Sequence, residues 1–239
     1  MTIVLPAMPD VWRGHQINRN IPVLASGHAR LDRHLPGGGW PLGALTELLT
    51  ETSGNGEFSL LLPTLAMMTS KRRWVMLIDP PWVPYPPAMH GHGVALDRVM
   101  LIRTRTVKES LWASEQALRG VRGGAVLFWQ EDPGFARLRR LQLAAKAGHK
   151  AAFLFRPMTS SQQASPAALR LQVRAHEADI NISILKCRGK RTSKQIRIRR
   201  SQQLPGFAAL SKAIAESKSQ SPASPPSRLE DPHIENHTH

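Results

Sequence analysis

Glu47-Leu48-Leu49-Thr50-Glu51-Thr52-Ser53-Gly54-Asn55-Gly56-Glu57 lies between a stretch with strand character, 44–49, and an apolar stretch of helix length, 57–71. Strand, glycine-bearing turn and helix, in that order, are the setting of a phosphate-binding loop. A working loop reads Gly, four residues, Gly-Lys-Ser/Thr; the lysine reaches the β- and γ-phosphates and the hydroxyl holds magnesium. Anchored on Gly54, this chain has Leu49 for the first glycine, Asn55 for the lysine and Gly56 for the hydroxyl residue. Asn55 carries no charge and Gly56 has no side-chain oxygen. Ser53, Gly54, Asn55 and Gly56 keep backbone N–H groups near a helix start, which favour anions. A glycine-rich turn before a helix is also ordinary loop geometry. The stretch therefore reads as a degenerate phosphate loop, with the position of a nucleotide site and without its chemistry.

Outward from this loop, strands and helices alternate. Residues 74–78, 99–102, 125–129 and 151–155 are short apolar runs of strand length. Thr106 and Glu109 form a capping box for a helix along which Val107, Leu111, Ser114 and Leu118 recur at helical spacing. A second helix carries Phe135, Leu138, Leu141 and Ala145 on one face. Pro63 cannot donate to the carbonyl of Ser59, so the helix after the loop either kinks there or starts just before it. Five prolines between Pro80 and Pro87 predict a loop. Alternation of this kind implies right-handed crossovers and a mainly parallel sheet with helices on both faces. Runs apolar on both sides agree with it. After Pro166 the pattern changes to three strands without helices between them, 169–173, 181–186 and 195–199, which predicts an antiparallel C-terminal edge. The expected class is α/β.

The chain has 239 residues, of which 41% are hydrophobic, which suits one domain with a sizeable core. The organisation expected is an arm over 1–24, a domain over 25–200, and a Ser-, Pro-, Lys- and His-rich tail over 201–239 that cannot bury enough surface to order itself. Lys and Arg number 32 against 17 Asp and Glu, a net charge of +15. That balance favours an acidic polymer as partner, nucleic acid being the simplest. One cysteine, Cys187, excludes a disulfide within the chain and suits a reducing cytoplasm, with association with the nucleoid if DNA is bound. The longest apolar run, 60–68, contains Pro63 and is too short to span a bilayer, so no membrane partner is expected.

The block Ser26-Gly27-His28-Ala29-Arg30-Leu31-Asp32, Leu35 and Gly37-Gly38-Gly39-Trp40-Pro41-Leu42-Gly43-Ala44-Leu45-Thr46-Glu47 resembles the RecA recombinase core. Within that superfamily the chain resembles the ImuA group, RecA/SulA-like bacterial proteins linked to SOS mutagenesis. Trp12-Arg13, the Gly-Gly-Gly-Trp-Pro-Leu-Gly run, Glu47-Leu48-Leu49 and Leu60-Leu61-Leu62-Pro63 carry this resemblance. It implies a RecA-like core and an accessory role in translesion DNA synthesis. The implied partners are an ImuB-like inactive homologue of Y-family polymerases, an error-prone DNA polymerase of the replicative type, and RecA. A SulA-like division inhibitor, capping the tubulin-like division protein, is the alternative. In the RecA pattern a catalytic glutamate follows two residues after the aspartate that ends the second strand; that offset from Asp79 gives Pro81. After 125–129 a magnesium-linked aspartate is expected, and Gln130 stands there. Three altered catalytic elements predict a non-hydrolysing scaffold with no catalytic residue and no cofactor.

Lys186, Arg188, Lys190, Arg191, Lys194, Arg197, Arg199 and Arg200 form the densest cationic run. Strand alternation puts Arg197 and Arg199 on one face and Ile196 and Ile198 on the other. The run is a candidate surface for DNA phosphates, non-specific because no aromatic interleaves it for base stacking. Composition favours DNA; the alternatives are a solvated, aggregation-resistant edge and a dock for an acidic protein. Trp82 and Tyr85 in the proline-rich loop are candidate partner anchors or loop packing. His90, His92 and the tail histidines His233, His237 and His239 lack the ligand set of a zinc site, so no metal is expected. No Gly-x-Ser-x-Gly elbow supports hydrolase chemistry.

Overall fold

The computed structural model describes residues 22–51, 57–120, 124–176, 178–187 and 195–199. A two-stranded ribbon, β1 (Val23–Leu24) and β2 (Trp40–Pro41), brackets the short helix α1 (Ala29–Asp32) and a 3-10 turn at Pro36–Gly38. Then come β3 (Ala44–Thr50), a 3-10 turn at Glu57–Leu60, α2 (Leu62–Ser70), β4 (Val75–Ile78), α3 (Pro86–Gly91) and a 3-10 turn at Leu96–Arg98. β5 (Val99–Ile102), α4 (Val107–Arg119), β6 (Ala125–Trp129), α5 (Phe135–Gly148) and β7 (Ala151–Pro157) complete the alternating part. A 3-10 turn at Met158–Gln162 leads to β8 (Leu169–Ala175), β9 (Asp179–Cys187) and β10 (Gln195–Arg199).

Eight of these strands form one sheet in the order β10-β9-β8-β3-β7-β6-β4-β5. The six strands from β8 to β5 are mutually parallel, and the antiparallel pairs are β8–β9 and β9–β10. The expected class, α/β with an antiparallel C-terminal edge, is present. The switch of direction falls one strand later than the turn pattern predicts, because β8 joins β3 in parallel and Thr46 sits opposite Leu169. Thr46 and Leu169 lie far apart in sequence, and the turn signals around Pro166 do not encode that pairing.

The sheet separates two cores. Leu48, Leu77, Leu127 and Phe153 pack on one face with Leu62, Leu65 and Met68 of α2 and Met89 of α3. Leu45, Val126, Phe128 and Leu154 pack on the other with Leu111 and Leu118 of α4 and Leu138, Leu141 and Ala144 of α5. Consecutive strand residues point to opposite faces, so the continuous apolar runs supply both cores. The close approach of α4 to α5 depends on Gly148, where a Cβ would meet the Leu118 carbonyl oxygen at 1.9 Å.

Local signals explain several boundaries. Pro63 occupies the first turn of α2, so the regular helix begins beside it rather than kinking over it. The Thr106 hydroxyl accepts from the Glu109 backbone at 3.2 Å, and the Glu109 carboxylate accepts from the Thr106 backbone at 3.2 Å. Val107 and Phe135 are exposed, unlike the other residues expected on their helical faces, because each starts its helix beyond the sheet margin. The proline-rich segment contains α3, with Pro86 and Pro87 in its first turn, so His90 is helical rather than in a loop. Proline at a helix start uses positions whose N–H groups have no intrahelical acceptor. The glycine-rich block after residue 25 becomes a clasp on the start of α2. The Trp40 indole donates to Thr64 at 2.9 Å, and the Thr64 hydroxyl donates to the Ser26 carbonyl at 3.1 Å.

Candidate functional site

The C-terminal ends of the parallel strands are where α/β folds place ligands. Leu49, assigned from sequence to the first glycine of a phosphate loop, is instead a fully buried residue inside β3. It stands opposite Arg156 on β7 and Gln172 on β8. Strand pairing on both sides reaches Leu49, and pairing with β7 continues to Thr50, so the loop cannot begin at Leu49. Ser53, Gly54, Asn55 and Gly56 lie outside the described residues.

Beside Leu49 is a charge cluster that no motif in the sequence marks. Glu47, fully buried, has Oε2 2.7 Å from Arg170 Nε and 3.8 Å from Arg156 Nη1. The Ser165 hydroxyl donates to its other oxygen. Arg170 also donates to the carbonyls of Ser160, Ser161 and Gln163, and Arg156 to the carbonyl of Glu131. Burial pushes the Arg156 guanidinium below its ordinary value, opposed by Glu47 and reinforced by Arg170. Two arginines thus share one buried carboxylate where β3, β7 and β8 meet, an arrangement that stands only while all three charges are present. An acidic residue inside a fully buried strand was the available signal, since such a group needs a buried cation.

The other altered positions have structural work. Asp79 ends β4 at φ 48, in the left-handed region that aspartate tolerates. Its carboxylate accepts from the Thr104 backbone at 2.7 Å and from the Thr104 hydroxyl at 2.6 Å. Burial pushes this carboxyl up, but hydrogen bonds from Ser110 and Thr104 and the charge of Arg103 outweigh it and hold it below the ordinary range. Pro81 follows on the exposed loop. Gln130 is buried and donates to Ser110 at 2.8 Å. Asp79, Ser110 and Gln130 therefore form one internal network that ties α4 to the ends of β4 and β6.

A cavity of about 80 Å³ lies between Thr50, Glu51, Glu57 and Arg174. Small-molecule sites run to roughly 300–1,000 Å³. A more open hollow of about 440 Å³ lies on the uncovered face of β8–β10, lined by Gln172, Arg174, His176, Asn181, Ser183 and Gln195. The opposite face of these strands is apolar, with Ile180, Ile182, Ile184, Ile196 and Ile198 in the core.

Of the predicted cationic run, Lys186, Arg197 and Arg199 are described; Arg188, Lys190, Arg191, Lys194 and Arg200 lie outside the described residues, as does Trp12-Arg13. Arg197 and Arg199 do share the uncovered face. Arg197 is ion-paired to Asp179, and its carbonyl accepts from Arg30 at 3.4 Å. Arg174 on the same face is paired to Glu51 at 2.8 Å, and Lys186 donates to the Ser165 carbonyl at 2.7 Å. Trp82 and Tyr85 project from the loop after β4 and are 60% and 52% exposed. They lie at the opposite end of the sheet from Arg197, so structure does not unite the two candidate surfaces. Among the described residues no cluster of His, Cys, Asp and Glu forms a metal-binding group, and no helix is long and apolar enough to cross a membrane.

The fold and these positions define an α/β protein of the strand–helix–strand type in which Leu49 and Gln130 are buried and Gln130 is hydrogen-bonded within the domain. No protein-family model matches the chain. It is similar to the cell division inhibitor SulA of Edwardsiella piscicida, with 33% identity over 98 residues, which is 41% of this chain and 58% of that protein. It is also similar to the cell division inhibitor SulA of Yersinia pestis strain Pestoides F and of Yersinia pseudotuberculosis serotype O:1b. Each of these is 24% identical over 134 residues, 56% of this chain and 80% of the relative. The chain thus spans less than two thirds of the length of the Edwardsiella relative.

Proposed function

We propose that this chain is a SulA-like binding protein on a RecA-like core, which holds a protein partner and does not hydrolyse nucleotide. The similarity to several division inhibitors carries this reading and favours the division-inhibitor alternative over the translesion role expected from sequence. Leu49, Pro81 and Gln130 support the non-hydrolysing part, because two of them are built into the core and the third is proline. The partner in this reading is the tubulin-like division protein of the cytoplasm. Expression in undamaged cells then produces filaments. Normal division at high expression removes this reading, and ATP turnover above background by the purified protein removes its non-hydrolysing part.

A second reading keeps the accessory role in SOS-induced mutagenesis. Its partners are the ImuB-like polymerase homologue, the error-prone replicative-type polymerase, RecA and DNA. The observation favouring it is the net charge of +15, with the densest run of cations at the C-terminal end of the domain. If five or six phosphates are engaged, duplex affinity falls with salt at a log–log slope on the order of −4 to −5. A flat salt response, with polymerase subunits absent from a pull-down after DNA damage, removes it.

A further inference from the structure

β5 ends the sheet, pairing with β4 and with no other strand among the described residues. All four of its residues, Val99, Met100, Leu101 and Ile102, are apolar. Met100 and Leu101 are each 42% exposed, and as neighbours on a strand they point to opposite faces of the sheet. Parallel strands direct the N–H and C=O of one residue to the same side, alternating along the chain. The Ile102 carbonyl accepts from Asp79 at 2.9 Å, which turns Ile102 and Met100 toward β4. The Leu101 N–H and C=O and the Val99 C=O therefore face outward, while the Val99 N–H already donates to the Leu96 carbonyl. Soluble proteins blunt such edges with lysine, proline, a bulge or a covering segment. β5 carries no charged, proline or bulged residue within its four positions.

The surroundings specify what fits. Trp74, Leu96, Trp82, Val83 and Tyr85 are exposed around the strand. The last three sit on the loop that Arg103 ties to β5 by donating to the Pro80 carbonyl. Cations bracket the strand along its length. Arg98 precedes it and lies over Trp74 at 5.3 Å, while Arg72 and Arg73 stand beside that tryptophan. Arg103 and Arg105 follow it. Asp97, 3.4 Å from Arg98, is the acid at the leading end. A second copy would bring this cationic rim against its own like. An occupant with an apolar centre and carboxylates at both ends meets the strand and the rim together.

We propose that β5 is a docking edge that takes an extended apolar segment of an acidic protein partner as an added strand. The Leu101 N–H and C=O and the Val99 C=O give it hydrogen bonds, Met100 and Leu101 grip alternate side chains on the two faces, and the arginines select its ends. This rests on the reading that the chain works by holding a protein partner, and gives that reading a surface. The expression assay tests the reading without reference to β5, so failure of one is distinguishable from failure of the other.

The test uses the full chain and a fluorescein-labelled peptide, Asp-Thr-Val-Ile-Val-Thr-Asp, with a control in which both aspartates are lysine. Amide exchange is followed residue by residue. Peptide binding is expected to slow exchange at Leu101 by about ten-fold or more, while Met100 and Ile102, already bonded to β4, and Val99, already bonded to Leu96, stay as they were. The lysine-ended peptide and the variant Leu101→Pro, which deletes one outward N–H, are each expected to bind about ten-fold more weakly. Exchange at Leu101 that slows with rising protein concentration alone assigns the edge to a second copy and overturns the proposal. Protection already present at high dilution assigns it to a segment of the same chain and overturns it equally. So does unchanged exchange at millimolar peptide.

Discussion

The two ends of the sheet solve the same problem in opposite ways. At the β10 end, apolar and polar residues alternate strictly: Ile196 and Ile198 are buried, and Gln195, Arg197 and Arg199 are exposed. Its cations have partners within the chain, Arg197 with Asp179 and Arg174 with Glu51. Arg30 of α1 takes the carbonyl of Arg197, so even the outer main chain is partly occupied. At the β5 end no residue alternates with a charge, and of the outer main-chain groups only the Val99 N–H has a described partner, the Leu96 carbonyl. Charge within the strand therefore marks the end that is closed; at the open end the arginines lie on the flanks of β5 and none lies in it. A cationic run raises the field around a surface, but paired arginines have less to offer a ligand than their number implies.

The comparison is tested most severely at the junction that holds the β10 end to the core. Glu47→Ala leaves Arg156 and Arg170 buried without their shared carboxylate. A loss of about 3–5 kcal/mol is expected in chemical denaturation. A loss below about 1 kcal/mol would mean that the three strands are held by packing alone.

The next largest effect contrasts equivalent substitutions at the two edges. Ile198→Ala removes a buried side chain and is expected to cost about 2–5 kcal/mol. Leu101→Lys alters an exposed edge residue and is expected to stay within about 0.5 kcal/mol of the parent. Equal costs would show that β5 is covered in solution and would erase the distinction.

The smallest effect concerns the latch at the β5 end, and it is read in pH. The Asp79 carboxyl is held below the ordinary range, so the unfolded chain takes up its proton first as pH falls. Its stabilising contribution is complete above the ordinary carboxylate range and drains away as pH drops below about 4, through the folded value. Asp79→Asn tolerates the same left-handed backbone and is expected to flatten that acid limb. An unchanged limb in thermal melts at low pH would assign acid sensitivity to other carboxylates.

Much of the architecture was legible because it rests on local rules. β6 and β10 have the boundaries expected from their runs, and α4 starts at the predicted capping box. Helix α3 was hidden because prolines, which mark loops in most settings, here occupy a first turn. At the candidate site the sequence exposed the replaced residues, Pro81 and Gln130, but not what they touch. It gave Leu49 to a loop because loop motifs are matched by spacing, and spacing contains no information about strand partners.

The alternation of apolar runs with helical periods determined an α/β sheet with two cores, since period and continuity follow from each residue's own side chain. Tertiary structure decided the rest. The pairing of Glu47 with Arg156 and Arg170 joins residues more than a hundred positions apart. Strand order likewise decided which edge has its cations paired and which is left open: Arg197 meets Asp179 and Arg174 meets Glu51 at the β10 end, while β5 pairs with β4 alone among the described residues. Partner choice across a sheet depends on which surfaces can be buried together, and that is a property of the assembled chain, not of any single stretch.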